Sequence, residues 1–366
     1  VAVTAFDRLY LDRAYELAAR GIGSTAPNPP VGAVVVRDGR VVGEGYHHRA
    51  GEPHAETNAL AMAGDSARGA TAYVSLEPCN HTGRTPPCAN ALIDAGVARV
   101  VVGAIDPNPK TQGRGVASLR ERGIDVEVTS DARAAELIEI FAGSLRADRP
   151  FVTLKMAMSL DGAIASKPGA VQWLTSEATR SYVRDMRIAH DAVMVGAGTV
   201  RVDDPQLTVR PPHHRSRPYV RVVACETDTV PETSRVFSSL DEYAKTIVLA
   251  PAGARARFAA LARVADVMFV GDDRSERLEL PPAMQALRER EIYSVLCEGG
   301  PTLAGRMIAG GLVDRVVWAI APVLLQRQGA VPVLAGVDFD ALNVQFDKVE
   351  RVGPDAIVTG RICLVD

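Results

Sequence analysis

Cysteine is scarce in this chain. Five residues (Cys79, Cys88, Cys225, Cys297 and Cys363) among 366 are too few and too scattered for the disulfide framework of a secreted scaffold, which points to a reducing compartment. An excess of basic charge is missing as well. The 41 Lys and Arg stand against 44 Asp and Glu, a formal net charge of −3, so the electrostatic footprint of a dedicated nucleic-acid binder is absent while small phosphorylated partners are admissible. No stretch approaches the ~18 apolar residues of a membrane span, and the N-terminus carries Asp7 and Arg8 where a signal peptide needs an apolar core. A start at Val1 rather than Met points to processing or trimming. Internal repeats and low-complexity tracts are lacking too. These exclusions leave the expectation of a soluble, cytoplasmic protein with no membrane or nucleic-acid partner, and 366 residues that are 47% hydrophobic suffice for two packed domains.

Phe6, Leu9, Tyr10, Ala14, Leu17 and Ala18 recur at helical spacing, and Gly21 follows where a helix would end. Val31 to Val36 and Val41 to Gly45 are β-rich runs joined by Arg37-Asp38-Gly39-Arg40, whose Asp-Gly predicts a hairpin. Strand patterns at 71–76, 97–103 and 124–128 then alternate with helical stretches near 54–63, 87–95, 113–122 and 131–145, the signature of a three-layer α/β domain. The polar segment Arg146-Ala147-Asp148-Arg149-Pro150 closes this block. A second α/β series follows, with strands near 151–158, 191–195, 219–225, 246–250, 265–270, 292–297 and 314–321 and two last candidates near 343–350 and 355–364. Residues 211–215 and 271–274 read as mobile loops.

His54-Ala55-Glu56, followed by Pro78-Cys79 and Cys88, matches the arrangement of zinc deaminases: an imidazole, a non-ligating Glu two residues on, and two thiolates. Three protein ligands leave a position for water, whose pKa falls toward ~7 on zinc. Glu56 would shuttle the proton from the attacking water to the departing nitrogen. Eight residues, Asn80 to Pro87, separate the two cysteines where the usual Cys-x-x-Cys has two, a spacing that taken alone weakens the match. Buried small hydrophobes and a core histidine are the competing reading. The clustering of all four pieces at element ends favours the metal.

That insertion is itself informative. His54-Ala55-Glu56, the run Glu77-Pro78-Cys79-Asn80-His81-Thr82-Gly83-Arg84-Thr85-Pro86-Pro87-Cys88, and Asp106-Pro107-Asn108-Pro109 closely resemble the deaminase half of the bifunctional riboflavin-biosynthesis deaminase/reductases. The resemblance implies a cytidine-deaminase-like three-layer domain at residues 1–148 that removes the 2-amino group of 2,5-diamino-6-ribosylamino-4(3H)-pyrimidinone 5′-phosphate. It implies substrate contacts at Asn28, His47, Arg84, Asp106 and Asn108, types that suit a pyrimidine edge and a phosphate. Turn chemistry alone would also account for Asn28 and for Asp106-Pro107-Asn108-Pro109. Between His47 and His48 the residues themselves do not choose; the family pattern favours His47. His81 is not expected to ligate, since a fourth protein ligand would displace the water.

In the second half, the strand Ile292 to Cys297 runs into Glu298-Gly299-Gly300-Pro301, and a strand at 191–195 runs into Gly196-Ala197-Gly198-Thr199. Such junctions suit a pyrophosphate, yet neither is a Gly-x-Gly-x-x-Gly fingerprint, and tight packing turns explain them nearly as well. Leu154 to Gly162, Val195 to Pro205 and Glu298 to Leu303 resemble the reductase half of the same family, so the likeness runs from about Ala14 to about Pro322. It implies a dihydrofolate-reductase-like domain at 149–366 that uses NADPH to turn the ribosyl group into ribityl. Cofactor contacts are implied at Met158, Trp173, Thr199, Asp203 and the run Gly300, Pro301, Thr302, Leu303, Ala304, Gly305 and Arg306. Substrate contacts are implied at Val171, Arg187, Leu207, Arg210 and Glu298, with Arg187 and Arg210 as a phosphate clamp. Lys155, Asp203 and Glu298 are the candidates for proton transfer, and the sequence does not choose among them. The Cys225-Glu226-Thr227 segment departs from the family's cofactor-contacting pattern. A homo-oligomer with Zn2+ and NADPH is expected. The alternative from another class is a nucleic-acid base deaminase with an appended binding domain, and a non-enzymatic zinc scaffold with a nucleotide-sensing domain is a third; the acidic balance speaks against the first and Glu56 against the second.

Overall fold

A computed structural model describes residues 3–83, 86–146, 148–209, 217, 219–238, 244–325, 328–336 and 342–363. The chain divides into two compact units, Val1–Arg146 and Ala147–Asp366. Among the described residues no helix is long and apolar enough to cross a membrane.

The first unit opens with α1 (Ala5–Ala19), started by a capping box in which the Thr4 hydroxyl accepts the Asp7 N–H (3.1 Å) and the Asp7 carboxylate accepts the Thr4 N–H (2.8 Å). The buried residues of α1 are Asp7, Leu11, Ala14, Tyr15, Leu17 and Ala18. Phe6 and Leu9, which the apolar periodicity included, are 73% and 59% exposed. The buried set begins with a carboxylate, and apolar spacing alone is blind to it. Asp7 is buried and bonded to the Tyr73 hydroxyl (2.9 Å) and the Arg99 guanidinium (2.7 Å). Burial alone would push its carboxyl up, but the bonds from Arg99, Thr4 and Tyr73 hold it well below the usual carboxylate range.

Strands β1 (Gly32–Arg37) and β2 (Arg40–Tyr46) form the hairpin, with Asp38 and Gly39 both at positive φ (50° and 73°), as a type I′ turn requires. β3 (Thr71–Val74), β4 (Arg99–Val102) and β5 (Asp125–Val128) complete a sheet of order β2-β1-β3-β4-β5, antiparallel at β1 and parallel from β3 onward. One face carries α2 (Ala55–Ala63), α3 (Cys88–Asp94) and α4 (Arg114–Glu121), packed through alanines 55, 59 and 63, Leu92 and Leu119. Helix α2 lies directly on β2: a Cβ on Gly43 would sit 2.1 Å from the Ala59 carbonyl oxygen. The other face carries α1 and α5 (Ala132–Leu137). The single helix expected over 131–145 is interrupted at Ile138, buried among α1 residues, and resumes as α6 (Glu139–Arg146).

The second unit contains β6 (Phe151–Ser159), β7 (Ala163–Ala165), α7 (Glu177–Ala189), β8 (Ala192–Gly196), α8 (Ala197–Asp203), β9 (Tyr219–Ala224), β10 (Ala244–Pro251), α9 (Arg255–Phe258) and β11 (Asp266–Val270). It continues with α10 (Leu280–Glu289), β12 (Ser294–Cys297), α11 (Pro301–Ala309), β13 (Arg315–Ala321), β14 (Val331–Pro332), β15 (Asn343–Val352) and β16 (Asp355–Cys363). The nine-stranded sheet has the order β11-β10-β9-β8-β12-β6-β13-β16-β15, parallel from β11 to β13 and antiparallel at its last two strands. Cores on both faces explain why its central strands, such as Ala192-Val193-Met194-Val195, are continuously apolar. The small β7–β14 pair was not legible in the sequence, its strands spanning three and two residues. Of the two loops expected to be mobile, 211–215 lies outside the described residues.

Asp7→Ala is expected to destabilise the first unit by about 2 kcal/mol, a buried-pair loss discounted because Arg99 is partly exposed. Because the folded carboxyl titrates below the unfolded one, its stabilising contribution is present above about pH 4 and is lost as pH falls further. Urea unfolding of Asp7→Asn against the parent chain should therefore show a gap at neutral pH that narrows in acid.

Candidate active sites

Three element ends converge in the first unit. His54 is the N-cap residue of α2, extended at φ −73° and ψ 168°, delivered there by the close packing of α2 on β2. Cys79 follows β3 after Glu77-Pro78, and Cys88 is the first residue of α3. His54 Nδ1 lies 3.6 Å from Cys79 Sγ and 3.3 Å from Cys88 Sγ, and the three donor atoms fall within 4.8 Å of one another. The Cys88 N–H, at a helix start, points at Cys79 Sγ (3.3 Å). The Cys88 thiol, then His54 and this N–H, hold the Cys79 thiol well below its ordinary value against the effect of burial. One imidazole and two thiolates form a donor set suited to zinc, so the residues fit the metal implied by the sequence. Glu56, on the first turn of α2 and buried, is pushed up to about 7 by burial and by the nearby Cys79 charge.

The two adjacent histidines are separated by geometry. His47 is buried, with Nδ1 3.2 Å from the Pro53 carbonyl, Nε2 3.1 Å from the Asn28 amide nitrogen, and its ring 5.0 Å from that of His54. These bonds suit a neutral ring that donates from Nδ1 and accepts at Nε2, and burial lowers its pKa accordingly. His48 is exposed and stacks on Tyr46. Asp106 is buried and raised to about 6 by that burial; it accepts the Asn108 N–H at 2.8 Å. Thus His47 borders the candidate ligand His54 and Asn28 borders His47, while Asp106 and Asn108 share one loop. His81 is not among the clustered donors and lies 3.4 Å from the buried Thr111 hydroxyl, a neighbour with no signal in the sequence. Arg84 lies outside the described residues.

In the second unit the strand ends of β8 and β12 carry the candidate site. Both α8 and α11 begin at a glycine N-cap (Gly196, Gly300) without a side-chain cap. A Cβ on Gly299 would meet Leu303 at 2.7 Å and one on Gly300 would meet the Thr199 hydroxyl at 3.3 Å, so bare backbone is required where α11 starts. This uncapped, glycine-lined helix start fits a dinucleotide pyrophosphate. Pairing of Cys297 with Leu154 places Glu298 level with Lys155 on the neighbouring strand.

Arg187 is not on a solvated helix face: its Nε and Nη2 donate to the two oxygens of Glu298 (2.6 and 3.0 Å), and Nη1 donates to the Thr208 carbonyl (3.2 Å). Burial would raise the Glu298 carboxyl, but the Arg187 charge and bonds hold it low. Burial draws the Lys155 ammonium downward, opposed by the Glu298 charge. Buried His190, absent from the sequence-based candidates, bonds Thr153 and the Met186 carbonyl beneath this group.

The remaining candidates are scattered by burial. Met158 is half-buried near the end of β6, Leu207 is buried at φ +54°, and Asp203 is exposed on the last turn of α8. Val171 and Trp173 are 59% and 77% exposed, the latter beneath the Arg180 guanidinium at 5.2 Å. Along α11, Leu303, Ala304 and Gly305 are buried, Pro301 and Thr302 are accessible, and Arg306 pairs with Glu226 at 2.5 Å. Arg210 lies outside the described residues.

Comparison with known proteins follows the same division. Residues 150–358 match the family described as RibD C-terminal domain, and residues 4–104 match the cytidine and deoxycytidylate deaminase zinc-binding region. The chain is 40% identical to riboflavin biosynthesis protein RibD of Escherichia coli K12, over 95% of this chain and 97% of that one. It is similar to the solved structure of Acinetobacter baumannii RibD (36% identity, TM-score 0.82, 98% and 99% of the two chains). It is likewise similar to that of a diaminohydroxyphosphoribosylaminopyrimidine deaminase/5-amino-6-(5-phosphoribosylamino)uracil reductase from Thermotoga maritima (35% identity, TM-score 0.81, 98% and 99%).

Elemental analysis should find about one equivalent of zinc per chain, and Cys88→Ser should lose most of it while remaining folded, since one of three protein ligands is removed. Full zinc retention in Cys88→Ser would contradict the assigned ligand set.

Proposed function

The chain belongs to the RibD family, the bifunctional deaminase/reductases of riboflavin biosynthesis, and from that membership we propose how its own residues divide the chemistry. The deaminase domain, residues 1–148, takes 2,5-diamino-6-ribosylamino-4(3H)-pyrimidinone 5′-phosphate, consumes one water and releases ammonia. The reductase domain, residues 149–366, converts the ribosyl group of the product to ribityl at the expense of NADPH. The Thermotoga maritima relative, named for these two activities, supports the choice of substrate.

Zinc held by His54, Cys79 and Cys88 would supply Lewis acidity toward the attacking water. Glu56, the buried carboxyl beside the ligands, takes the proton from that water and returns one to the nitrogen that leaves as ammonia. Asn28, held by His47, and Asp106 with Asn108 read the pyrimidine edge, and Arg84 answers the phosphate. His47 serves as a neutral wall that fixes the Asn28 amide.

In the reductase domain the nicotinamide, when bound, supplies the hydride received at C1 of the opened ribose. Burial and bonding favour one of the three proton-transfer candidates. Asp203 is exposed at a helix end, and Glu298 is locked as a carboxylate by the bidentate Arg187. Lys155 is the remaining group, with no hydrogen-bond partner among the described residues and an ammonium whose proton is loosened by burial. It gives a proton to the ring oxygen as the C1–O bond opens. Arg187 acts through Glu298, leaving Arg210 as the phosphate ligand. Met158, Trp173, Thr199, Asp203 and residues 300–306 border the cofactor; Val171 and Leu207 border the sugar. A small phosphorylated pyrimidine, not a nucleic acid, is the partner of this cytoplasmic, homo-oligomeric enzyme.

The observation that carries the reading is the convergence of His54, Cys79 and Cys88 beside buried Glu56. Incubated with the diamino-pyrimidinone, the protein should release ammonia without cofactor and then oxidise NADPH when it is added. Glu56→Gln should keep zinc and lose deamination by roughly 10²–10⁴-fold, and Lys155→Met should lose reduction over the same range while ammonia release is unchanged. With reduction assayed on the already deaminated pyrimidine, loss of both steps in either folded variant would contradict two separate sites.

A further inference from the structure

Glu77 adjoins the Cys79 segment and is 3% exposed, yet the chemistry above makes no use of it. Its carboxylate accepts three backbone N–H groups. Oε2 takes those of Asp106 (3.2 Å) and Gly113 (2.8 Å), and Oε1 takes that of Val116 (3.0 Å). Its own N–H donates to the Ala104 carbonyl at 2.9 Å.

Gly113 is the N-cap of α4, left-handed at φ 78° and without a side chain to close the helix, and Val116 stands at the third position of that helix. An N-cap carboxylate satisfies such orphan N–H groups and suits the positive helix end. Here it comes from a residue 36 positions earlier in the chain. The contact is tight elsewhere too: a Cβ on Gly115 would lie 1.9 Å from the Pro78 carbonyl oxygen, so the first turn of α4 rests on the backbone just before Cys79.

Between the anchored N–H groups of Asp106 and Gly113 runs the loop that carries Asp106 and Asn108. It is folded on itself: Asp106 Oδ1 accepts the Asn108 N–H (2.8 Å), Asn108 Oδ1 accepts that of Lys110 (3.1 Å), and the Asn108 carbonyl accepts those of Thr111 and Gln112 (2.8 and 2.9 Å). One carboxylate thus ties both ends of a self-bonded loop to the strand end that delivers Cys79.

We propose that Glu77 is a positioning residue of the deaminase, holding the loop from Asp106 to Gly113 in register with Cys79 so that the pyrimidine is read at the correct distance from the reacting centre. The inference rests on the reading that Asp106 and Asn108 contact the pyrimidine. Glu77 itself reaches neither substrate nor metal. A Gln at this position keeps one acceptor and turns an NH2 toward N–H groups that need one, which loosens the loop without removing any substrate-reading side chain.

The test is steady-state deamination by Glu77→Gln, Asp106→Ala and the double variant, with zinc content and NADPH oxidation on the deaminated pyrimidine measured in each. Glu77→Gln should raise KM about tenfold with kcat within about threefold of the parent, while zinc and reduction are unchanged. The double variant should fall well short of the product of the two single effects, because both changes weaken the same loop's hold on the pyrimidine. Multiplying effects in the double variant, lost zinc, or a fall in kcat at constant KM would overturn the proposal. A parental KM in Asp106→Ala would instead refute the substrate contact on which it rests. Should Glu77→Gln fail to fold, Glu77→Asp, of equal charge and shorter reach, must show the same KM-weighted loss or the proposal falls.

Discussion

Two thiolates held within 4.8 Å of one another repel, and with an imidazole beside them they gain little as a packed apolar cluster, so their approach must be enforced by the surrounding fold. The enforcement comes from three backbone elements. Packing of α2 on the glycines of β2 sets His54, the end of β3 sets Cys79, and the start of α3 sets Cys88 and aims an N–H at the Cys79 sulfur. Each ligand sits at the end of an element, where side chains project from the rim of the sheet. The buried Glu56 then follows automatically, two residues along the same helix.

The reductase half solves a different problem with different means. A carboxylate and an ammonium lie near the middle of a largely apolar sheet, a placement that costs free energy unless the charges are compensated. Bidentate bonding by Arg187 fixes Glu298 in one ionisation state and one orientation. Burial draws the neighbouring Lys155 ammonium toward losing its proton, opposed by the Glu298 charge, which is the basis of the role proposed for it. The proposed cofactor side, by contrast, is built from what is missing: side chains are absent from the glycines that begin α8 and α11.

Much of this was legible in the sequence because it is encoded locally. Asp38-Gly39 specifies its hairpin, short apolar runs bounded by turn residues mark the strands of both sheets, and His54-Ala55-Glu56 with Pro78-Cys79 and Cys88 marks the candidate metal ligands within a short span. What escaped depends on single contacts between distant residues. The pairing of Arg187 with Glu298 spans 111 positions, and nothing near Arg187 distinguishes it from its exposed-face neighbour Arg184. Apolar spacing does not show the inward face of α1, because its first member, Asp7, is a carboxylate made tolerable by bonds from Arg99, Tyr73 and Thr4. The choice between His47 and His48 turns on which ring meets Asn28 and Pro53, a matter of tertiary placement.

Everything proposed for the deaminase depends on a metal with two sulfur ligands, one imidazole and one position left for solvent. X-ray absorption at the zinc edge of the purified protein counts these neighbours directly. The account predicts two sulfur and two lighter scatterers, reduced to one sulfur or to an empty site by Cys88→Ser. A site with three or more sulfurs, or folded and catalytically competent protein containing no zinc, would contradict it.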